Sequence, residues 1–444
     1  MNKRLVQAGQ FKLKRFRIFD FYDSSRWVEI NKMIHGFEIE ESILKGSVRG
    51  NATLFDTTGI LHQFPLRGEE RIEIEYEDFF EEKHKDRMIL YAISNVKSPD
   101  NNNQAIWQYT IHFVSPAKLL SENTQIRRAY NSKISDSVQS IFDEFFASDS
   151  RKEIEIQPTD VEQRMIVPKY TPEQAMHFFA RHAYNSMSFS QTFRFFESRE
   201  KYFFATNEHL DSIGRGGQGY GAGLVDFGLA SAVGMGNAPS IPYFGQTYEP
   251  DVSPEGQEML MKSIIDISYP DIVNTVKDIN EGAFSRATYE LDYLNSAISR
   301  IEYNYKDEFR TNNTKQQLVH TNEFIEDNID REKDYYALKD YSTEGMPQGE
   351  GVRPNTHYAD IFNRKLSHYY HTKNNRVECT IYGRNTIFAG GLVDLKLIKH
   401  LANTDTIEYD DERSGVYLVE SIVNSFTEDT YIQKLRLTRN GVGK

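Results

Sequence analysis

Residues 71–78 read RIEIEYED, and residues 72–77 alternate between two kinds of side chain. The even-numbered positions are apolar or aromatic, and the odd-numbered positions carry Glu73, Glu75 and Glu77. A period of two is the pattern of a half-buried β-strand. Like charges in a row on one face of a strand repel each other. The pattern therefore predicts a strand and raises the question of what lies opposite its acidic face: water, a basic partner, or a polyanion that must not adhere.

Similar patterns continue through residues 1–118. FKLKRFRIFDFYD, GFEIEESI, MILYAISNVKS and QAIWQYTIHFVS each predict a strand, and NATLFDTTGILHQF predicts two short strands around a turn at residues 56–59. Several short strands separated by turn residues are typical of a barrel or a sandwich.

The pattern changes over residues 119–212. ISDSVQSIFDEFF has apolar residues at helical spacing, and TPEQAMHFFARHAYN predicts a helix with Thr171 as N-cap and Pro172 in its first turn. FRFFES and KYFFATN then predict a β-hairpin. We expect a small α+β unit here.

The second half of the chain mixes irregular and β-rich segments. Residues 213–258 are rich in Gly and Pro and predict a linker or insertion, and residues 310–374 predict an inserted polar segment with a helix at YADIFNRKLSHYYHT. Residues 259–309 and 375–444 contain strand patterns, among them GVYLVESIVNSF and YIQKLRLTRN. These strands predict a second barrel, so the expected class is mainly β with α+β insertions.

Composition restricts the possible functions. The formal net charge of -13 argues against a dedicated nucleic-acid binder. No apolar run approaches the ~18 residues of a membrane helix, so membrane insertion is not expected. The single cysteine, Cys379, rules out an intrachain disulfide, and the N-terminus lacks the apolar region of a secretory signal. Assembly in a reducing cytoplasm fits these features.

Motifs for catalysis or cofactor binding are weak. Gly214, Gly216 and Gly219 form G-x-G-x-x-G, but the motif follows a polar stretch rather than a buried strand, which favours a flexible connector. His368 and His371 are three residues apart on the predicted helix, yet no third metal ligand is evident. We therefore expect no catalytic residue, cofactor or metal, although a single sequence does not exclude an enzyme with dispersed catalytic residues.

Charge is unevenly distributed near the N-terminus. Six cations precede the first acidic residue, Asp20: Lys3, Arg4, Lys12, Lys14, Arg15 and Arg17. The basic segment and the acidic strand are each explained by a solvated strand face. The alternative is an assembly in which acidic and basic faces meet, or in which they face a channel.

The order of several sequence elements resembles a known family, the central baseplate hub proteins of contractile-tailed bacteriophages, which are related to the hub domains of type VI secretion spikes. The resemblance lies in FDFYDSSRWVEI, then FEIEESILKGSVRGNATLFD, then TTGILHQFPLRGEERIEIEY, and near the other end in GRNTIFAGGLVDLKLI and GVYLVESIVNSFTEDTYIQKLRL. It covers residues 11–130 and 376–440, about half of the chain. Residues 213–256 and 310–357 do not match and look like insertions.

The resemblance implies a structural rather than enzymatic protein. It implies a homotrimeric ring with two barrels per chain resembling the tail-tube fold, at 1–118 and at 259–309 with 375–444. Such a ring would adapt a sixfold tube to a threefold central spike and form part of the DNA channel of a virion tail baseplate assembled in the host cytoplasm. Its partners would be the spike, tail-tube or tube-initiator proteins and baseplate wedge proteins, and DNA would pass without specific binding.

Under this resemblance, we expect Glu73, Glu75 and Glu77 to face the channel or its rim, where like charge would repel DNA phosphates. The alternative is that they face a basic neighbour or solvent on the outside of the ring. Two other functions remain open, the hub of a phage-like contractile injection device and a β-rich enzyme that degrades cell walls.

Overall fold

The structure is a computed structural model. The residues that it describes are 7–64, 66–97, 106–147, 152–188, 190–199, 201–214, 240–242, 254–270, 275–282, 285–293, 295–304, 333–338, 343–344, 358–397, 409–410 and 413–439.

Strands dominate the described residues. They are β1 (Lys12–Phe19), β2 (Trp27–Glu29), β3 (Ile34–Ser42), β4 (Arg49–Asp56), β5 (Arg71–Glu77), β6 (Lys83–Lys97), β7 (Trp107–Val114), β8 (Ile126–Lys133), β9 (Ile154–Ile156), β10 (Glu162–Tyr170), β11 (Arg194–Glu197), β12 (Tyr202–Ala205), β13 (Ser240–Pro242), β14 (Ile264–Ser268), β15 (Ser285–Asp292), β16 (Ala297–Asn304), β17 (Lys333–Leu338), β18 (Thr343–Glu344), β19 (Val377–Tyr382), β20 (Leu392–Lys396), β21 (Gly415–Thr427) and β22 (Thr430–Thr438). The helices are α1 (Ile60–Gln63), α2 (Pro116–Glu122), α3 (Ile134–Phe145), α4 (Pro172–His182), α5 (Asn207–Gly214), α6 (Pro254–Met261), α7 (Thr275–Asn280) and α8 (Tyr358–Asn374).

One large sheet contains strands from both ends of the chain. Its order is β14-β19-β22-β21-β3-β4-β7-β6-β5-β1-β2, with β20 and β13 attached beside β21. The two ends are joined where β21 pairs antiparallel with β3, from Ser421 opposite Ser42 to Thr427 opposite Gly36. The sheet curls into a half-barrel. The predicted mainly-β class is confirmed, whereas the number of barrels and the ring stay predictions.

Aromatic side chains pack across this junction. The ring of Phe426 stacks on Phe37 at 4.2 Å and on Tyr431 at 4.1 Å between centroids, and Tyr76 meets it edge-on at 4.6 Å. All four side chains are buried. Aromatic pairs contribute beyond the area that they bury, so Phe426 and Tyr431 tie the last two strands to the core of the first strands. Most of the buried apolar residues of β19–β22 pack in a second core.

The α+β unit follows the sequence closely. The predicted helices appear as α3 and α4, and the predicted hairpin as β11 with β12. Thr171 and Gln174 form a reciprocal capping box, in which each side chain accepts a hydrogen bond from the other's backbone N–H. Helices α3 and α4 pack with β8, β10, β11 and β12 around a separate hydrophobic core.

The structure corrects one local prediction. Residues 60–63 form the short helix α1 instead of a second strand after the turn. The Asp56 carboxylate accepts hydrogen bonds from the backbone N–H groups of Thr58 at 2.9 Å and Gly59 at 2.7 Å. Gly59 has φ 73, which favours glycine. Because of these contacts, the backbone enters a helical conformation after the turn, and residues 60–63 do not form a strand.

Several predictions concern residues that lie wholly or mostly outside the described ranges. Gly216, Gly219 and most of residues 213–258 lie outside the described residues, as does most of the polar segment before α8. The helix predicted in YADIFNRKLSHYYHT is confirmed as α8. The domain boundaries stay a prediction. No helix in the described part of the chain has the length and apolar character needed to cross a bilayer.

Candidate functional site on the outer face of strand β5

Strand β5 has the alternation that its sequence predicts. Ile72, Ile74 and Tyr76 are fully buried, and the three glutamates point to the opposite, outer face of the sheet. β5 lies between β1 and β6 and is antiparallel to both. Side chains that face each other on neighbouring strands are about 5 Å apart at Cβ, so these two strands determine what the glutamates meet.

Both neighbouring strands place cations beside the glutamates. In register, Glu73 lies between Arg17 and Arg87, and Glu75 lies between Arg15 and Lys85. Each glutamate carboxylate has a cation within 4 Å. The pairs are Glu73–Lys85 (3.7 Å), Glu73–Arg87 (3.9 Å), Glu75–Arg15 (3.4 Å), Glu77–Lys14 (2.7 Å) and Glu77–Lys83 (3.9 Å). We call these eight residues the ladder face.

Four of the five cations are more exposed to solvent than the carboxylates; Lys14, at 25%, is the exception. The glutamate side chains are 14–26% exposed, whereas Lys83 is 73% exposed, and Arg15, Lys85 and Arg87 are each above 40%. With five cations against three carboxylates, the ladder face presents a net positive surface. The Glu77 carboxylate accepts a hydrogen bond from Lys14, which raises the pKa of Lys14 and keeps it charged.

This arrangement answers the question raised by the sequence in part. The glutamates meet a basic neighbour, but that neighbour is the same chain, and two of its cations, Lys14 and Arg15, come from the basic N-terminal segment. Lys3 and Arg4 of that segment lie outside the described residues. Whether the ladder face points toward a channel or its rim stays a prediction. Repulsion of DNA phosphates requires a bare acidic face, whereas on a single chain every glutamate of β5 has a cation beside it.

Exposed aromatic side chains lie at one end of the same face. Phe21 is 45% exposed, Tyr22 72% and Trp27 45%. We call these three residues the aromatic end. The guanidinium of Arg17 lies 3.9 Å from the centroid of the Trp27 ring, and Arg67 donates a hydrogen bond of 2.8 Å to the Tyr22 hydroxyl. The cation–π contact and the hydrogen bond hold two large apolar groups in place in solvent.

The turn that carries the aromatic end is also fixed locally. Asp20 accepts hydrogen bonds from the backbone N–H groups of Tyr22 at 2.8 Å and Asp23 at 3.2 Å. An open pocket of about 430 Å³ lies beside Trp27, between this turn and α1, and its lining includes Arg26 and Gln63. A rigid turn with exposed aromatic rings next to a pocket has the composition of a protein contact surface.

A second charged group, which the sequence did not predict, is buried where the sheet meets the α+β unit. Arg199 Nε lies 3.3 Å from Glu41 Oε1, and both side chains are at most 1% exposed. The backbone N–H of Arg199 also donates to Glu41 Oε2 at 2.9 Å. Nearby, Glu197 of β11 accepts hydrogen bonds from Lys152 and from the backbone N–H of Val48. The group ties the α+β unit to the main sheet.

Asp86 of β6 belongs to the same buried region. Its Oδ1 lies 2.8 Å from His84 Nε2. Burial alone would raise the pKa of Asp86, but the charges of His84 and Arg199 and the hydrogen bond from His84 outweigh it and lower the pKa to about 2. Asp86 is therefore ionised at neutral pH, and its charge attracts His84 and Arg199.

The residues considered for chemistry do not form a site. Within the described residues, no group of three His, Cys, Asp or Glu is placed to hold a metal ion. His368 is 1% exposed, with Nδ1 3.5 Å from the Thr192 hydroxyl, and the side chain of His371 is not described. Cys379 is a buried core residue, and burial raises the pKa of its thiol to about 12.

Comparison with known proteins gives matches in structure only. No protein-family model and no curated protein matches the sequence. A tail protein from Neisseria meningitidis MC58 superposes with a TM-score of 0.50 at 10% identity, covering 98% of each chain. The 43 kDa tail protein of prophage MuSo2 from Shewanella oneidensis superposes with a TM-score of 0.51 at 8% identity, covering 97% of this chain and 98% of its own. The chain has the fold of these two tail proteins.

The tail-protein fold spans nearly the whole chain, including the α+β unit and α8. The resemblance inferred from the order of sequence elements is thereby confirmed at the level of the fold. A chain of the Francisella PdpA–VgrG complex in its half-lidded state also aligns, at 10% identity over 100% of this chain and 60% of its own, with a TM-score of 0.42. That likeness is too weak to add to the assignment.

Proposed function

We propose that this protein is a structural component of a contractile phage tail, the hub at the centre of the baseplate. In this role three copies form a ring between the tail tube and the central spike. The observation that carries the proposal is the end-to-end match in fold to two tail proteins, at 98% and 97% of this chain. The pairing of β21 with β3 and the aromatic contacts across it support the proposal, because a ring subunit must hold its shape under load.

The proposed ring adapts symmetry and forms part of a DNA channel. Three chains that each present two similar β units would offer six positions to a sixfold tube and three to a spike. The partners proposed for the ring are the spike, the tube or tube-initiator proteins, and the baseplate wedge proteins. The proposed location is the tail baseplate of the virion, and the proposed role is not enzymatic.

The decisive experiment is the mass of the purified full-length chain, measured by light scattering coupled to size exclusion, followed by negative-stain imaging. A mass three times 51.5 kDa with a central hole is the expected result. A monomer that clears cell walls in a zymogram would refute the hub proposal and favour the alternative of a cell-wall-degrading enzyme. An inactive control for the zymogram is the same protein after heat denaturation.

A further inference from the structure

The net charge of the ladder face is positive, whereas the net charge of the whole chain is negative. The chain has 52 Lys and Arg against 65 Asp and Glu, a formal net charge of -13. The ladder face carries five cations and three carboxylates. The remaining surface is accordingly more acidic than the net charge suggests. A basic face on an acidic chain is complementary to other surfaces of the same chain.

The geometry of the charges favours a protein partner over DNA. The cations stand in two columns on β1 and β6, about 10 Å apart, with the glutamate column of β5 between them. A phosphate backbone lying across the face would pass over the carboxylates as well as the cations. A protein surface can match alternating columns with its own pattern, since each position carries its own side chain.

The aromatic end supplies apolar contact area, which the charged residues of the ladder face do not provide. Rim charges steer association and set its specificity, whereas exposed Trp, Tyr and Arg side chains supply most of the affinity of protein contacts. Phe21, Tyr22 and Trp27 adjoin the ladder face, and Arg17 joins the two regions because it stacks on Trp27 and lies opposite Glu73 in register. Aromatic and ladder residues thus form one continuous surface.

The size of this surface suits a subunit contact. Three strands at a spacing of about 5 Å and seven residues at about 3.4 Å each give roughly 350 Å² of flat sheet. Three aromatic side chains, which bury ~150–250 Å² each when fully covered, add a few hundred Å² more. The total approaches the ~800 Å² per partner of a standard protein interface.

We infer that the ladder face and the aromatic end together form the surface by which one copy of this chain binds an acidic surface of the next copy, an inference that rests on the proposed ring. A cyclic ring uses a heterologous contact, in which two different faces of the chain meet. A basic face on an acidic chain provides one of these two faces. The ladder face is then buried between subunits rather than turned toward DNA.

The test compares full-length variants by light scattering over a range of protein concentrations. Lys83→Glu reverses the most exposed charge of the ladder face, and Tyr22→Ser removes the most exposed aromatic ring. Both side chains are more than 70% exposed, so the variants should fold, which circular dichroism checks. Matched controls are Lys434→Glu, an exposed lysine on β22, and Tyr336→Ser, a tyrosine on β17 that is 71% exposed.

We expect each ladder or aromatic variant to raise the dissociation constant of the trimer about tenfold or more, and each control to leave it unchanged. Raising the salt from about 0.1 M to about 1 M shortens the screening length from roughly 10 Å to roughly 3 Å, and it should weaken the wild-type trimer. The Lys83→Glu trimer should respond less to salt, because its contact has lost a charge pair.

Three results would overturn the inference. Wild-type trimers that all four variants leave intact would show that copies meet elsewhere, while the proposed ring would stand. A wild-type protein that stays monomeric at every concentration would refute this inference. It would also refute the expectation that the ring forms without partner proteins. Binding to a DNA duplex that Lys83→Glu abolishes, with the trimer unchanged, would assign the face to DNA instead.

Discussion

The buried pair Arg199–Glu41 allows a quantitative test of how the α+β unit is fixed to the sheet. The pair is taken out of water completely, since neither side chain is more than 1% exposed. Removing one partner of a buried ion pair costs about 3–5 kcal/mol, because an unpaired charge remains inside the protein. Replacing both partners by neutral groups of similar size costs much less.

The structure also predicts which single variant is worse. In Arg199→Met, the Glu41 carboxylate keeps the backbone N–H of residue 199 at 2.9 Å, so the cost should fall near the lower end of that range. In Glu41→Gln, the guanidinium loses the carboxylate charge of Glu41 and is left with neutral acceptors such as Asn385 Oδ1 at 3.4 Å. We expect Glu41→Gln to lose more of the free energy of unfolding than Arg199→Met.

The assay is a double-mutant cycle by urea unfolding, followed by far-ultraviolet circular dichroism and by the fluorescence of the two tryptophans. The double variant should be at least about 2 kcal/mol more stable than the sum of the single effects predicts. The control cycle uses the exposed pair Glu258–Lys262, at 2.7 Å, whose coupling should be much smaller because water screens it. Coupling in the buried pair no larger than in this control would refute the reasoning.

Three further predictions test other parts of the structure. Asp86→Asn should cost about 2 kcal/mol of unfolding free energy at pH 7. Because the folded pKa of about 2 is below the ordinary value, the stabilisation by Asp86 is present above pH ~4 and is lost as the pH falls toward 2. The unfolding free energies of wild type and variant should therefore converge near pH ~2 in acid unfolding curves. Gly50→Ala should destabilise the protein by about 1–3 kcal/mol, since the new Cβ would lie 2.1 Å from the Phe113 ring. Gly36→Ala should cost less, because its nearest atom would be 3.0 Å away. Equal melting temperatures for the two variants would contradict this ranking. Thr171→Ala should remove the cap of α4 at a cost of about 1 kcal/mol in urea unfolding, and Thr171→Ser should restore most of it.

Local sequence determined most of the secondary structure. The alternation in residues 71–77 identified β5 and its two faces, and the apolar spacing and N-cap identified α3 and α4. These features depend on neighbours within a few residues, so the pattern is visible in the sequence. The prediction failed at residues 60–63, where the Asp56 side chain turns the backbone into α1, because a turn signal does not state in which conformation the chain leaves.

Local sequence patterns determined only part of the candidate site. The sequence showed that three carboxylates share one face of a strand, but not that Lys85 and Arg87 on one side and Arg15 on the other would stand beside them. Cross-strand neighbours depend on strand order and register, and those follow from which apolar faces pack together. The reversal from an acidic to a basic surface is therefore a property of the assembled sheet.

Tertiary structure alone decided the longest-range contacts. Ser421 pairs with Ser42 across nearly the whole chain, and Arg199 meets Glu41 from a different structural unit. Pairing of this kind carries no local signal, because each strand could satisfy its backbone groups with any partner strand of suitable pattern. The sequence by itself determined most of the strands, their faces and the mainly-β class. Long-range packing of apolar faces decided which strands became neighbours and hence which charges meet.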